Sequence, residues 1–350
     1  MAMRVLLLTP ERHKQGAWLL NLEAELLKSQ PSLSVDIISI EQWGQQHFEM
    51  VATSSWQLAV NRVSDASEPA VAKLALVIMR QLELYGTPLV NPSSAYSLLM
   101  SKSGHHSVLR AAGVAHPESA FVNGLGLSTG ADVLARLSKS FSEPVDCKLP
   151  LLYKPCAAAY AKGVVTMNNL EDLRSFAGQI EASASESVTT TRGPLGNDCT
   201  GFLQKYCPPD RGEYFRVFVL DGICQCAIKV VPRNETSMGY ASVTSTCACS
   251  ASKTVESPLR FLAYSPTEEE ASEAVKILAK VARADCGSVE FLYHEGKRLY
   301  FDVNLLSHLP VRASDADGPH FPGFEDPAGL WSGRNFYSEL AAFCLGRLRS

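Results

Sequence analysis

VEFLYHEGKRLYFDVN, residues Val289 to Asn304, reads as two short strands, Val289–Tyr293 and Arg298–Val303. They join across His294-Glu295-Gly296-Lys297, where the glycine can take the positive φ of a hairpin turn. Side chains two apart on a strand point the same way, so Asp302 and Asn304 share a face, and register can bring Glu290 beside them. Two carboxylates and an amide oxygen are hard donors of the kind that hold Mg²⁺ together with substrate phosphates. The same alternation also suits the solvent face of an amphipathic hairpin. What separates the two readings is the chain upstream.

The chain has 350 residues, 46% hydrophobic and 19% charged, the composition of a globular protein with room for two or three subdomains. A net charge of −4 does not suggest a broad cationic surface for nucleic acid. No apolar run approaches the roughly 18–20 residues of a membrane span. MAMRVLLLTPERH has one basic residue before a short apolar run, and reads as a first strand rather than a signal peptide. All ten cysteines lie from Cys147 onward. Scattered thiols without a signal peptide fit a reduced, cytoplasmic setting. The pairs Cys224/Cys226 and Cys247/Cys249 are too closely spaced for a usual zinc site.

From the N-terminus, RVLLL (Arg4–Leu8) is a buried strand, followed by a helix with Trp18, Leu19, Leu22, Leu26 and Leu27 on its apolar side. SVDIISI and Trp56–Asp65 are further strands; Ala70–Tyr85 is helical and Leu89–Asn91 extended. Alternating strands and helices argue for a parallel sheet, so residues 1–92 read as a Rossmann-like α/β unit. No G-x-G-x-x-G turn follows the first strand, which argues against a dinucleotide site. Ser93–Ala112 reads as two helical turns and then a helix around Lys102. A strand at Ala120–Val122 and a helix at Ala131–Ser140 follow. LPLLYKP (Leu149–Pro155) is an apolar strand interrupted by Lys154. Gly201–Cys207 is another strand, and Glu213–Gly222 with Cys224–Val231 forms a hairpin across Asp221-Gly222. Residues 181–200 and 234–257 are Ser/Thr-rich connections; Glu268–Ala284 and Asn335–Leu348 are helices.

Five stretches, in order, carry a resemblance: LVNPSSAYSLLMSKSGHHSVLRAAGVAHPES, LLYKP, FLQKY, EYFRVFVLDGICQCAIKV and VEF…FDVN. Together they resemble the ATP-grasp superfamily, closest to the RimK-type carboxylate–amine ligases. The resemblance spans about residues 88–310. It implies an α/β ATP-grasp fold in which the N-terminal Rossmann-like unit (1–92) precedes two α+β subdomains clamping ATP. These are a central and lid part (93–203) and a C-terminal part with the metal site (204–350).

By the same resemblance, Lys102 and Lys154 neutralise nucleotide phosphates, and the apolar strand around Lys154 strengthens that contact by lowering the local dielectric. The chain at Gln204, Lys205 and Tyr206 carries the adenine edge, and Glu213 belongs with the nucleotide-binding residues. Arg216 meets the γ-phosphate, where a guanidinium fork matches phosphate oxygens. Mg²⁺, with Mn²⁺ as a substitute, sits on Glu290, Asp302 and Asn304. Lys229, beside Arg216 on the paired strand, is a catalytic candidate. Arg233 and Ser307 are substrate candidates. Two departures stand out. Lys205 replaces the family's usual Glu. The loop after Lys154, Ala157-Ala158-Ala159-Tyr160-Ala161-Lys162-Gly163, lacks most of the family's glycines, and Lys162 offers a charge in their place. The implied activity is an ATP-dependent ligase joining a small carboxylate to an amine. An ATP-grasp kinase of a polyol or inositol phosphate and a non-catalytic ATP-binding relative are the alternatives.

Overall fold

The computed structural model describes residues 3–53, 55–64, 69–123, 135, 148–156, 164–185, 200–232, 259–305, 307 and 324–349. The expected helix at 131–140, the alanine-rich loop after Lys154 and the connection 234–257 lie outside these residues, except for Ala135, which is helical.

Strand β1 (Arg4–Thr9) is apolar on both faces because both are covered. Leu6 and Leu8 face one cluster, with Ile78, Met79 and Leu82 of a later helix; Val5 and Leu7 face another, with Trp18, Leu19, Leu22 and Leu26. Those four residues belong to α1 (Ala17–Ser29). Next come β2 (Ser34–Ser39), α2 (Gln45–Ala52), β3 (Leu58–Asn61), α3 (Pro69–Leu84) and β4 (Leu89–Val90). The strands form a parallel sheet of order β2-β1-β3-β4. The third strand is shorter than Trp56–Asp65, because the Asn61 Oδ1 accepts the Val63 N–H at 3.0 Å and turns the chain.

After β4, Asn91 takes φ 60° and ties this sheet to a distant segment. Its Oδ1 accepts from the backbone N–H of Asp285 (2.9 Å) and Cys286 (3.0 Å), and its own N–H donates to the Asp285 carboxylate at 2.7 Å. The chain then forms α4 (Ser93–Leu99) and α5 (Lys102–Ala111). Ser101 separates them as the N-cap of α5, its Oγ accepting from the Ser103 N–H at 3.3 Å.

A second sheet is antiparallel, of order β5-β8-β6-β7, built from β5 (Ser119–Asn123), β6 (Leu151–Pro155), β7 (Val165–Met167) and β8 (Thr200–Lys205). Its Leu151, Tyr153 and Leu203 pack on Leu173 and Phe176 of α6 (Leu170–Ser185).

The third sheet has six strands in the order β13-β12-β9-β10-β11-β14. They are β9 (Tyr214–Leu220), β10 (Ile223–Pro232), β11 (Leu259–Tyr264), β12 (Cys286–His294), β13 (Lys297–Asn304) and β14 (Phe324–Glu325). All pair antiparallel except β14, which runs parallel to β11. The helix α7 (Glu268–Val275) covers one face and continues as a wider π-helical turn, Lys276–Val281, a change of helix type that periodicity did not foreshadow. A last helix, α8 (Phe336–Arg349), packs on α1. The β12–β13 turn is tighter than the expected four-residue link: Glu295 (φ 51°) and Gly296 (φ 71°) make a two-residue connection.

Candidate active site

The site depends on a single extra residue. From the turn inward, β12 and β13 pair as His294↔Lys297 through Phe291↔Tyr300; the next pair is Glu290↔Asp302. Phe301 is the inserted residue of a β-bulge. Without it Glu290 would sit opposite Phe301, and Asp302 would turn to the other face, because a one-residue slip reverses every side chain. The bulge therefore places Asp302 and Asn304 beside Glu290, which on its other side pairs with Arg216 of β9.

The side chains meet accordingly. The Arg216 Nη2 donates to the Glu290 Oε1 at 2.5 Å, and the Asn304 amide donates to the same oxygen at 3.0 Å. Asn304 also reaches Asp302 Oδ2 at 3.4 Å. From α5, the Lys102 ammonium and the His105 Nδ1 each lie 2.6 Å from Asp302 Oδ1. His105 is held from behind by its Nε2, 2.9 Å from the Leu99 carbonyl. Burial pushes the Asp302 carboxyl up, but Lys102 and His105 outweigh it and hold it well below the usual carboxylate range. Glu290 goes the other way. Burial raises it, the Arg216 guanidinium pulls against that, Asp302's charge raises it again, and it ends above its ordinary value.

This balance bears on a metal. Glu290 is 6% exposed, and its second oxygen lies outside the bonds to Arg216 and Asn304. Rotating the Asn304 amide would present Oδ1 to both carboxylates in place of Nδ2, completing a set of hard oxygens for Mg²⁺. The donor set fits. Among the described residues no three His, Cys, Asp or Glu side chains are placed to hold a metal ion by themselves, so the set depends on the Asn304 amide.

Lys154 approaches from the facing sheet. Its ammonium lies 5.4 Å from the Phe301 ring centroid, so the bulge residue also becomes its platform. Burial is the main cause that brings Lys154 down to about 8, with Lys102 acting in the same sense and Asp302 and Glu290 opposing. Beside it, Leu152, Cys207 and Leu292 are buried together, with Tyr206, Leu299 and Phe301 against them. Arg216 has one more donor to give: its Nε–H is buried and has no acceptor among the described residues.

No protein-family model matches the sequence, and no curated protein matches it. Solved structures do. D-alanyl-alanine synthetase A from Vibrio cholerae O1 biovar eltor str. N16961 superposes with a TM-score of 0.65 at 13% identity, covering 100% of both chains. D-cycloserine synthetase DcsG gives 0.62 at 16% identity, over 98% of this chain and 99% of that one. The ATP-grasp ligase PsnB, complexed with a minimal precursor, Mg and ADP, gives 0.58 at 13% identity, over 99% and 98%. The fold is ATP-grasp. The RimK-type branch of the resemblance is carried by the sequence motifs alone.

Within this ATP-grasp frame, Lys102, Lys154, Arg216, Glu290, Asp302 and Asn304 converge, while other candidates do not. Lys229 is not beside Arg216. A second bulge, at Gln225 between Cys224 and Cys226, slips β10 by one residue, so Ile228 pairs with Arg216 and Lys229 with Phe215. Lys229 therefore sits on the opposite face, 3.2 Å from Glu213, which is drawn away with it. At the end of β8, the N–H of Lys205 donates to the Glu118 carbonyl at 2.8 Å and that of Tyr206, just beyond it, to the Pro150 carbonyl at 3.0 Å. Both donors expected for adenine are thus engaged, and Gln204 Nε2 bonds Ser119 Oγ at 3.2 Å. Ser307 bonds to Ser288 Oγ and lies next to the cluster. Lys162 and Arg233 lie outside the described residues. Two residues were missed. His105 looked like one of two adjacent histidines on a helix, and only its one-turn spacing from Lys102 hinted at a shared face. Phe301 looked like an ordinary strand aromatic.

Proposed function

We propose that the protein is an ATP-dependent ligase that joins a carboxylate to an amine through an acyl phosphate. The observation that carries this reading is the convergence, between two sheets, of Lys102, Lys154 and Arg216 with Glu290, Asp302 and Asn304. Three cations suit a triphosphate, and the oxygen set suits its metal. The named ligase activities of the structural neighbours, and the Mg and ADP bound to PsnB, are consistent with it.

In this reading the buried apolar patch of Leu152, Cys207 and Leu292 receives the adenine, and Lys154, stacked on Phe301, and Lys102 hold the phosphates. The Arg216 guanidinium, held by its Nη2 on Glu290, presents its remaining exposed edge to an oxygen of the γ-phosphoryl group. Bound Mg²⁺, or Mn²⁺ in its place, supplies charge neutralisation that promotes transfer. A carboxylate oxygen attacks the γ-phosphorus and ADP leaves. The amine nitrogen then attacks the acyl carbon, the C–O bond to phosphate breaks, and the amine loses a proton to solvent or base. Preorganised donors aimed at developing charge are worth about two to three orders of magnitude in rate each.

The test is ADP release by the purified protein, with Mg²⁺, across a panel of carboxylates and amines. The reading expects release that requires both and an amide product of matching mass. A stable phosphomonoester from a hydroxyl acceptor would establish the kinase instead. Nucleotide binding without turnover on any acceptor would establish a non-catalytic relative.

A further inference from the structure

Two histidines that the phosphate-binding cluster does not use meet where α5 joins the second sheet. His106 follows Lys102 by one helical turn. Its ring stands edge-on to that of His116 with centroids 4.6 Å apart, and lies 5.3 Å from the Phe202 ring of β8. Phe202 is only 7% exposed, and it pairs in register with Lys154 on β6 and with Phe121 on β5. His116 belongs to the linker from α5 to β5. Its Nδ1 lies 3.2 Å from the Pro117 carbonyl, and the Ala115 carbonyl before it accepts the Tyr300 N–H at 2.9 Å. The half-buried His106 ring thus sits between the helix that bears Lys102 and the sheet that bears Lys154. The same two elements meet again where the Lys102 N–H donates to the Cys156 carbonyl at 3.1 Å.

The charged groups on the elements around this pair are mostly cations. α5 brings Lys102 and Arg110, β6 brings Lys154, and the end of β8 brings Lys205. The π-helical turn packed on α5 brings Lys276 and Lys280, and β13 brings Lys297 and Arg298. The carboxylates on these elements are engaged elsewhere. Glu118 of the linker is paired with Lys148 at 2.6 Å, and Asp302 of β13 is held by Lys102 and His105. A single imidazolium on His106 could rest against the Phe202 ring. A second positive charge on His116 would lie within one ring's width of it, where like charges in a partly buried setting repel strongly. Burial, then His116, then Arg110 hold His106 below its ordinary value of 6.5. The folded chain therefore binds this proton more weakly than the unfolded chain. The stability that depends on the neutral ring is complete above 6.5 and is lost as pH falls below it.

We propose that His106 and His116 form an acid-sensitive latch between α5 and the second sheet: protonation releases His106 from Phe202, moves Lys102 away from Lys154 and weakens nucleotide binding. The effect on the nucleotide rests on the ATP-binding reading of the cluster, whereas the latch itself can be measured without nucleotide.

The experiment compares the full chain with two variants from about pH 8 to about pH 5.5, on either side of the ordinary imidazole value. His106→Phe keeps a ring against Phe202 and removes the titrating nitrogens. His116→Asn removes the second charge and leaves His106 in place. Urea midpoints are measured without nucleotide, and affinity for a non-hydrolysable ATP analogue is measured with Mg²⁺ at each pH. The wild-type midpoint is expected to fall below those of both variants as pH drops under about 6.5. Wild-type affinity for the analogue is expected to fall about tenfold more than that of either variant, the size of one pH unit of coupling. Titration of the analogue's own phosphates is common to all three chains and cancels in the comparison. Parallel pH profiles for wild type and variants, in midpoint and in affinity, overturn the proposal. So does a midpoint gap with no affinity gap, which would separate the pair from nucleotide binding. If the analogue binds at no pH while the midpoint gap appears, the latch stands and the nucleotide reading fails. If all three chains bind it with one pH profile, the nucleotide reading stands and the latch fails. Should His106→Phe fail to fold, His116→Asn carries the same comparison.

Discussion

Removing the charge of Asp302 does two things at once. It weakens a ligand of the proposed metal set, and it leaves Lys102 and His105, both 2.6 Å from that carboxylate, facing a neutral group. Asp302→Asn is expected to lose turnover by at least about two orders of magnitude and to destabilise the fold by about 1–3 kcal/mol. Activity assays and urea midpoints check the two effects separately; unchanged stability would mean that the pair contributes nothing to folding. Lys154 makes a pH prediction. Its folded-state value is depressed from 10.5 to about 8, so the charged form is disfavoured in the folded chain. The unfolded chain then binds the proton more tightly, and stability due to this group is lowest below about pH 8 and rises from there to about 10.5. Urea midpoints of wild type and Lys154→Met should differ most in favour of the variant at neutral pH, with the gap closing across that window. Nucleotide affinity should move oppositely, falling as the ammonium is lost above about pH 8. At this scale the sequence was informative for Glu290, Asp302, Asn304 and Arg216, which the fold brings into one cluster. It misled for Lys229, because alternation assumes an unbroken pleat, and the insertion at Gln225 leaves no compositional trace.

Elements position these residues through close backbone contacts. A Cβ at Gly104 would fall 1.6 Å from the Leu98 carbonyl oxygen, so α4 and α5 cross where only a glycine fits. Gly104→Ala is expected to cost about 1–3 kcal/mol by overpacking and to displace the helix bearing Lys102 and His105. Its activity should fall more than its melting temperature suggests. Gly287 plays the same part for the hairpin, since its Cβ would lie 2.7 Å from the Asn304 carbonyl oxygen. Gly296, by contrast, has nothing within 4 Å and a φ of +71°, so Gly296→Ala should cost about 1 kcal/mol through backbone strain alone. Turnover per folded molecule should be unchanged; a large loss of turnover in this variant would show that the turn itself is part of the site. Strand and helix order was legible because β1 is apolar throughout, α1 and α3 repeat at helical spacing, and Gly and Pro mark the breaks. Pairing register was not legible, since nothing in the residue types marks Phe301 or Gln225 as an inserted residue.

The whole molecule joins these elements across long sequence separations. Asn91, at the end of the parallel sheet, is bonded to Asp285 and Cys286 at the start of β12, and the Arg347 guanidinium of the last helix reaches the same Asp285. The first and last parts of the chain thus hold the strand that carries Glu290. No helix among the described residues is long and apolar enough to cross a membrane. The overall likeness to ATP-grasp structures fixes the fold, whereas the proposed chemistry rests on the cluster between its sheets. An acyl phosphate reacts with hydroxylamine to give a hydroxamate, and a phosphomonoester does not. The most direct measurement is therefore hydroxamate formation from ATP, Mg²⁺, hydroxylamine and a panel of carboxylates. The ligase account expects ADP, phosphate and a hydroxamate in equal amounts, lost by about two to three orders of magnitude in Arg216→Ala. ADP formed without any hydroxamate, together with a stable phosphomonoester on a hydroxyl acceptor, would contradict it.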